Sequence, residues 1–250
     1  EKEKIMKPTN EWMKIWKEKR DIISGPNDLN EYFDFDEIAG QKLDRLSFGK
    51  VSVPSGEILV RDPLVYLNKD EEPYFEKVPT GEFEAVGAVV LSEEDCARYA
   101  AVRVKFNDNK AVRFGEALLG HEDIKDLEEG EYFGFNVDAG LGTILDKETL
   151  LAFDEFFMNW HKENPEGNIY DDYFADIFKK NYEENPKYQR DGGDWINWCV
   201  PGTNLYMPIF QSGFGDGTYP VYFGYDENDS ICCLIIEFID IKMAYEDEEQ

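Results

Sequence analysis

Two stretches of the chain combine carboxylates with glycines densely enough to mark a site. The first is Val137-Asp138-Ala139-Gly140-Leu141-Gly142-Thr143-Ile144-Leu145-Asp146. Here a carboxylate at a strand end is followed by two glycines, which allow backbone N–H groups to approach a ligand closely. Asp146 then opens a helix, and a helix N-terminus favours an anion. The same residues also suit a plain sharp turn with Asp146 as an N-cap, and local geometry alone favours that simpler role. The second stretch is Ser212-Gly213-Phe214-Gly215-Asp216-Gly217-Thr218-Tyr219-Pro220-Val221. Three glycines around one aspartate suit a loop that presents Asp216 beside exposed backbone. A dinucleotide fingerprint is excluded, because a strand follows where a helix is required. The bland alternative is a hairpin turn at Asp216-Gly217, between a strand ending at Phe210 and one starting at Thr218.

Taken together, the two aspartates could share a pocket if their strands are neighbours. Oxygen ligands of this kind suit Mg²⁺ or Ca²⁺. The ligand-binding candidates are therefore Asp138, Gly140, Gly142, Gly213, Gly215, Asp216, Gly217 and Tyr219, with Asp138 and Asp216 as metal ligands. Tyr219 or Tyr222 would shape the pocket. No other cofactor is expected, no catalytic set is identified, and whether the protein is an enzyme stays open. The two histidines, His121 and His161, lack a GxSxG motif or other supporting spacing for nucleophilic catalysis. His161 fits a helix C-terminal turn, where a cation complements the dipole. The acidic turn Asp226 to Ser230 lacks the frame of a calcium loop and reads as a solvated hairpin tip. From Cys96 to Gly115 there are five basic residues against the single acid Asp108. Alternation should place Arg103, Lys105 and Arg113 on one face. That face is either a cationic ledge or, preferably, a partner for the protein's own carboxylates.

Composition narrows the function classes. Over 250 residues the formal charge is −28 at pH 7, with 42% hydrophobic and 15% aromatic residues. That hydrophobic content excludes general disorder. So negative a surface repels phosphate backbones and anionic lipids and attracts basic partners. Nucleic acid and membrane are therefore not expected as partners, and no stretch approaches the ~20 apolar residues of a span. The cysteines are Cys96, Cys199, Cys232 and Cys233. Without a CxxC pair they read as thiols, with Cys232 and Cys233 pointing to opposite faces of a strand. A cytoplasmic location is expected. The chain starts at Glu1 rather than Met, which leaves open the removal of an N-terminal piece.

The elements that must position the site follow from hydrophobic period. Asn10 caps an amphipathic helix carrying Trp12, Ile15, Trp16, Ile22 and Ile23, ending near Gly25-Pro26. From about residue 47 the period becomes two. Leu46–Val53 and Ile58–Val60 form a hairpin through Pro54-Ser55-Gly56, and Asp62-Pro63 turns the chain. Phe83–Leu91 is a strand. Val102–Phe106 and Val112–Phe114 form another hairpin through Asn107-Asp108-Asn109. Tyr132–Val137 leads into the first glycine motif. Two helices follow, with stripes Leu150, Phe153, Phe157, Trp160 and Tyr170, Tyr173, Phe174, Ile177, Phe178, Tyr182. Strands at Trp195–Val200, Leu205–Phe210, Thr218–Tyr225 and Ile231–Ile239 complete the chain. The expected fold is α+β: a mainly antiparallel curved sheet or sandwich with an N-terminal helix and two central helices packed on it. The expected organisation is an N-terminal helical segment over 1–46, one α+β domain over 47–245, and an acidic tail over 246–250.

With those residues in place, the chain resembles the bacterial domain-of-unknown-function family 4241. The resemblance rests on Val51-Ser-Val-Pro-Ser-Gly-Glu-Ile-Leu-Val-Arg-Asp62 with Pro63, on Val78-Pro79-Thr80-Gly81, on Val137-Asp138-Ala139-Gly140, and on Gly213 to Val221. It spans about residues 48 to 240 and implies no activity and no catalytic residue. The leading expectation is a non-enzymatic interaction protein, of the immunity type that neutralises a basic toxin. The alternative is an Mg²⁺- or Ca²⁺-dependent enzyme or ligand-binding protein using Asp138 and Asp216. Oligomeric state is left open.

Overall fold

The computed structural model describes residues 8–91 and 97–245. The expected acidic tail and Cys96 lie outside the described residues. The fold is α+β, with two stacked, curved antiparallel sheets and helices on the far side of the smaller one. The chain order is α1 (Asn10–Glu18), α2 (Glu31–Asp34), β1 (Glu37–Ile38), β2 (Gln41–Val53), β3 (Ile58–Arg61), β4 (Gly81–Leu91), β5 (Arg98–Lys105) and β6 (Arg113–Glu116). It continues with β7 (Phe135–Val137), β8 (Leu141–Asp146), α3 (Lys147–Glu163), α4 (Ala175–Glu184), β9 (Trp195–Cys199) and β10 (Tyr206–Gln211). The last elements are β11 (Gly217–Tyr219), β12 (Val221–Tyr225), β13 (Ile231–Glu237) and α5 (Ile241–Tyr245). A π-helical turn over Tyr170–Phe174 leads into α4.

The larger sheet has the order β1-β2-β4-β5-β13-β12-β6, the smaller one β3-β8-β10-β9, and β11 pairs with β7 as a separate ribbon. Alternation along each strand of the smaller sheet feeds two cores. Ile58, Val60, Ile144, Trp195 and Phe210 face the larger sheet. Leu59, Leu145, Ile196, Trp198 and Ile209 face Leu150, Phe153, Phe174 and Phe178 of the helical layer. Burying such side chains contributes roughly 1.5–3 kcal/mol each. A third cluster joins Trp12, Trp16 and Ile23 of the N-terminal segment to Leu118, Ile124 and Leu127.

The expected hairpin of Leu46–Val53 with Ile58–Val60 is not formed. At Pro54-Ser55-Gly56 the chain instead leaves the larger sheet for the smaller one, so β2 pairs with β4 and β3 with β8. The turn is a corner between layers, and Gly56, at φ +79°, leaves no room for a Cβ, which would lie 2.5 Å from the Val78 carbonyl oxygen. The hairpin expected through Asn107-Asp108-Asn109 is also absent. β5 pairs with β13 and β6 with β12, because the β12–β13 hairpin is inserted between them. Thr218–Tyr225 is two strands, parted at Pro220: β11 joins β7 while β12 joins the larger sheet. Consequently Asp216-Gly217 is not a hairpin turn between β10 and the following strand. At the N-terminus the cap is Thr9, one residue before Asn10, and α1 ends at Glu18, well short of Gly25-Pro26.

Candidate functional site

The two glycine-rich loops meet at one corner of the molecule. The β7–β8 loop carries Asp138 to Gly140, and the β10–β11 loop carries Ser212 to Asp216. Pairing of β11 with β7 places Gly217 opposite Val137 and Tyr219 opposite Phe135, which draws the loops together. Gly140 N donates to Asp216 Oδ1 at 2.9 Å, and Ser212 N donates to the Gly140 carbonyl at 3.1 Å. Asp216 thus holds the loop of Asp138.

The β10–β11 loop is closely built. Ser212 Oγ and Tyr219 OH each donate to the Gly215 carbonyl at 2.7 Å, and Tyr219 OH also lies 3.2 Å from the Ser212 carbonyl. Burial is the main cause that raises the Tyr219 hydroxyl pKa. Gly213, at φ +55°, sits so close to β13 that a Cβ would lie 2.9 Å from Phe238 Cβ. Gly140 and Gly215 also have positive φ, at +64° and +106°. Gly142 lies within β8 and packs against the Phe210 and Phe238 rings. Phe214 projects outward, 57% exposed, with the Arg98 guanidinium 5.3 Å from its ring centre.

A residue that the sequence presents only as a turn completes the corner. Asp62 is wholly buried, and its Oδ2 accepts the N–H groups of Asp138 at 2.9 Å and Ala139 at 2.7 Å. Its Oδ1 accepts Leu64 N at 2.9 Å and Val65 N at 3.3 Å. The signal available in the sequence was Asp-Pro at a strand end, which gives the local bonds but not the contact across 76 residues. Asp138 itself is exposed and accepts the Tyr66 hydroxyl at 2.5 Å, and that bond raises the Tyr66 pKa. Tyr222 lies away from the corner, on the larger sheet opposite Glu116.

Carboxyl groups elsewhere act in the same way on backbone. Asp146 caps α3 through Glu148 N at 2.8 Å and also accepts Ser55 N, Gly56 N and Ser55 Oγ at the inter-sheet corner. Glu116 Oε1 accepts Phe133 N and Gly134 N at 2.7 and 2.8 Å. Burial pushes the Glu116 carboxyl up to about 7. Glu122 accepts Gly120 N and His121 N at 2.9 and 3.0 Å. Asp226 accepts Asn228 N and Ser230 N at the β12–β13 tip.

Among the described residues no group of three or more His, Cys, Asp or Glu side chains is placed to hold a metal ion. His121 Nε2 contacts Glu72 at 2.8 Å on the surface, and the His161 ring packs edge-on against Phe157. Cys199, Cys232 and Cys233 are free thiols. The expected common face of Arg103, Lys105 and Arg113 is not formed. Arg103 and Lys105 share a side of β5, but register runs from Val104 through Leu234 and Phe223 to Gly115, which puts Arg113 on the other side. The order of strands, unreadable from β5 and β6 alone, decides this. Arg113 joins Arg20 on Asp229, Lys105 approaches Asp108, and Arg103 lies 4.2 Å over the Phe33 ring.

A family model described as a protein of unknown function, DUF4241, matches residues 51–236. The chain belongs to this family. The DUF4241 match starts inside β2 and ends inside β13, so Asp62, Asp138 and Asp216 all fall within it, while α1 and α2 precede it. No curated protein and no solved structure matches the chain.

Replacing Asp216 by Asn exchanges a carboxylate acceptor for a neutral amide at the Gly140 N–H. The expected loss is about 1 kcal/mol, the scale of one such bond at an exposed position. Urea unfolding of the variant measures it, and a loss above about 3 kcal/mol would mean that Asp216 holds more than one loop.

Proposed function

We propose that the protein is a non-enzymatic binding protein whose acidic surface recognises a basic protein partner, in the manner of an immunity protein that neutralises a basic toxin. The observation that carries this reading is the way charge is divided. The chain has 54 acidic residues against 26 lysines and arginines. Many of those cations are committed within the molecule: Arg61 to Glu71, Lys110 to Asp34, Lys187 to Asp44, Arg190 to Asp194 and Lys242 to Glu31. The remaining acids leave the surface strongly net negative. In the stretch 123–131, Asp123, Asp126, Glu128, Glu129 and Glu131 are all exposed, with Lys125 as the only cation among them. Together with Leu127, Tyr132 and Phe133, several of these acids line a concavity of about 530 Å³. A field of this kind speeds association with a basic partner and makes it salt-sensitive.

The second reading, an Mg²⁺ or Ca²⁺ site in an enzyme or ligand-binding protein, is favoured by the arrival of Asp138 and Asp216 at the same corner. Two carboxylates fall short of the six to eight oxygens that Ca²⁺ takes, and Asp216 already accepts a backbone N–H. The binding reading is therefore preferred.

Immobilised protein should retain a basic protein from extracts of the source cells at about 50 mM salt and release it near 0.5 M, where screening is short-ranged. Unfolded chain of the same charge is the control, and it should not retain that protein at equal loading. Recovery of no basic protein, or equal recovery on the unfolded chain, would remove the proposal.

A further inference from the structure

Residues 23–34 run as a strap along the β6 edge and over the outer face of the larger sheet. Glu116 N donates to the Ile23 carbonyl and Gly25 N to the Phe114 carbonyl, both at 3.0 Å, so the strap extends the sheet by one short antiparallel bridge. Pro26 ends this ladder, since it has no N–H to give. Beyond it the strap is held by acids beneath. Asn27 Nδ2 donates to Glu237 Oε2 at 3.2 Å and to Asp240 Oδ2 at 2.9 Å. The two carboxyl groups therefore share one donor, which limits their separation to the sum of those distances. Tyr32 OH lies 2.8 Å from both Glu237 Oε2 and the Ile239 carbonyl. Gly25 lies on the Tyr222 ring, with 3.1 Å between the place of a Cβ and Tyr222 Cε1.

The surroundings of Glu237 contain acids and phenols. Tyr32 faces it from the strap, Asp240 from the link to α5, Tyr222 from β12 and Tyr132 from the segment before β7. Glu116 on β6 acts on the same two tyrosines, Tyr222 and Tyr132. Lys242, which feels the Asp240 charge, is paired with Glu31 at 2.6 Å, and Arg103 on β5 is stacked over Phe33. No described cation forms an ion pair with Glu237, which is 6% exposed. A buried carboxylate without a cation is costly, and either protonation or hydration relieves it.

We propose that residues 23–34 are a proton-operated latch, closed while Glu237 holds a proton and lifting locally from the β6 edge when that proton passes to water. Lifting hydrates Glu237 and frees Phe114 and Glu116 for pairing with another strand, since an open edge is a template for strand addition. Burial is the largest cause and raises the Glu237 carboxyl, while the bonds from Tyr32 and Asn27 oppose it and Asp240 adds to it. The net result is a carboxyl pushed up to about 7, in the neutral range. The closed strap thus binds a proton that the open strap releases. Closure is fully favoured below the ordinary carboxyl range and weakens as pH rises through 7.

Amide hydrogen exchange between about pH 5.5 and 8.5, corrected for the intrinsic rate, tests it. Protection of Gly25 N–H and Glu116 N–H should fall as pH rises to about 7, by up to about tenfold per unit for one proton, and level off above it. Amides of the β4–β5 ladder should stay level, and Glu237→Gln should level the strap amides as well. Glu116→Gln, which removes a different buried acid, should leave the pH response of Gly25 in place. An equal response across the whole sheet, or one that persists in Glu237→Gln, would overturn the latch. If Glu237→Gln does not fold, carbon-13 titration of the wild-type Glu237 carboxyl decides instead: a midpoint near 7 supports the latch, and one below about 5 overturns it.

Discussion

Asp62→Ala should lower unfolding free energy by about 3–5 kcal/mol, as measured by urea denaturation at neutral pH. The carboxyl group is fully buried and accepts four backbone N–H groups, two from the turn that follows β3 and two from Asp138 and Ala139. Alanine supplies no acceptor, so those donors must find water or stay unpaired, at about 1–3 kcal/mol for each one left buried. Part of the cost is recovered by hydration, because Asp138 lies at the surface. Asp62→Asn keeps the shape and one acceptor oxygen, so its loss should fall between zero and that of alanine. If Asp62→Ala loses less than about 1 kcal/mol, the corner is not held by the Asp62 carboxylate.

Asp146→Ala carries the second large effect, about 3–4 kcal/mol in the same assay. One part is the lost N-cap of α3, worth about 1 kcal/mol. The rest comes from the chain crossing at Pro54-Ser55-Gly56, where Ser55 N and Gly56 N each donate to Asp146 Oδ2 at 3.0 Å. Both N–H groups lie close to the place where β2 leaves the larger sheet, and few waters can replace the carboxylate there, since Asp146 is wholly buried. Ser55→Ala removes only the hydroxyl bond to Asp146 Oδ1 and should cost about 1 kcal/mol. An Asp146→Ala loss of only about 1 kcal/mol would mean that the cap alone matters.

These two aspartates show how far the sequence could be read. Asp146 was legible as a cap because capping is local, and the helix it opens buries Leu150 and Phe153 as the apolar stripe indicated. Its hold on Ser55, 91 residues away, depends on β3 pairing with β8, and no periodicity encodes a pairing partner. The same limit explains the two hairpins that did not form. Alternation located β5 and β6 correctly as strands, whereas the strands between them come from the far end of the chain. The meeting of the Asp138 and Asp216 loops was an expectation about strand neighbours, and the β7–β11 ribbon brings them together. What each carboxylate does there could not be read in advance, because a glycine-rich loop has the same spacing whether its acid waits for a ligand or holds a backbone.

At this corner Asp62 and Asp216 are spent on main-chain N–H groups, and Asp138 on the Tyr66 hydroxyl, which leaves no carboxylate pair for a cation. Thermal unfolding with Mg²⁺ or Ca²⁺, against NaCl at matched ionic strength, tests it most directly. Screening of the −28 charge should raise the melting temperature equally in the three salts, to within about 1 °C, in wild type and in Asp216→Asn alike. A further rise of several degrees with one divalent cation, abolished by Asp216→Asn, would contradict it.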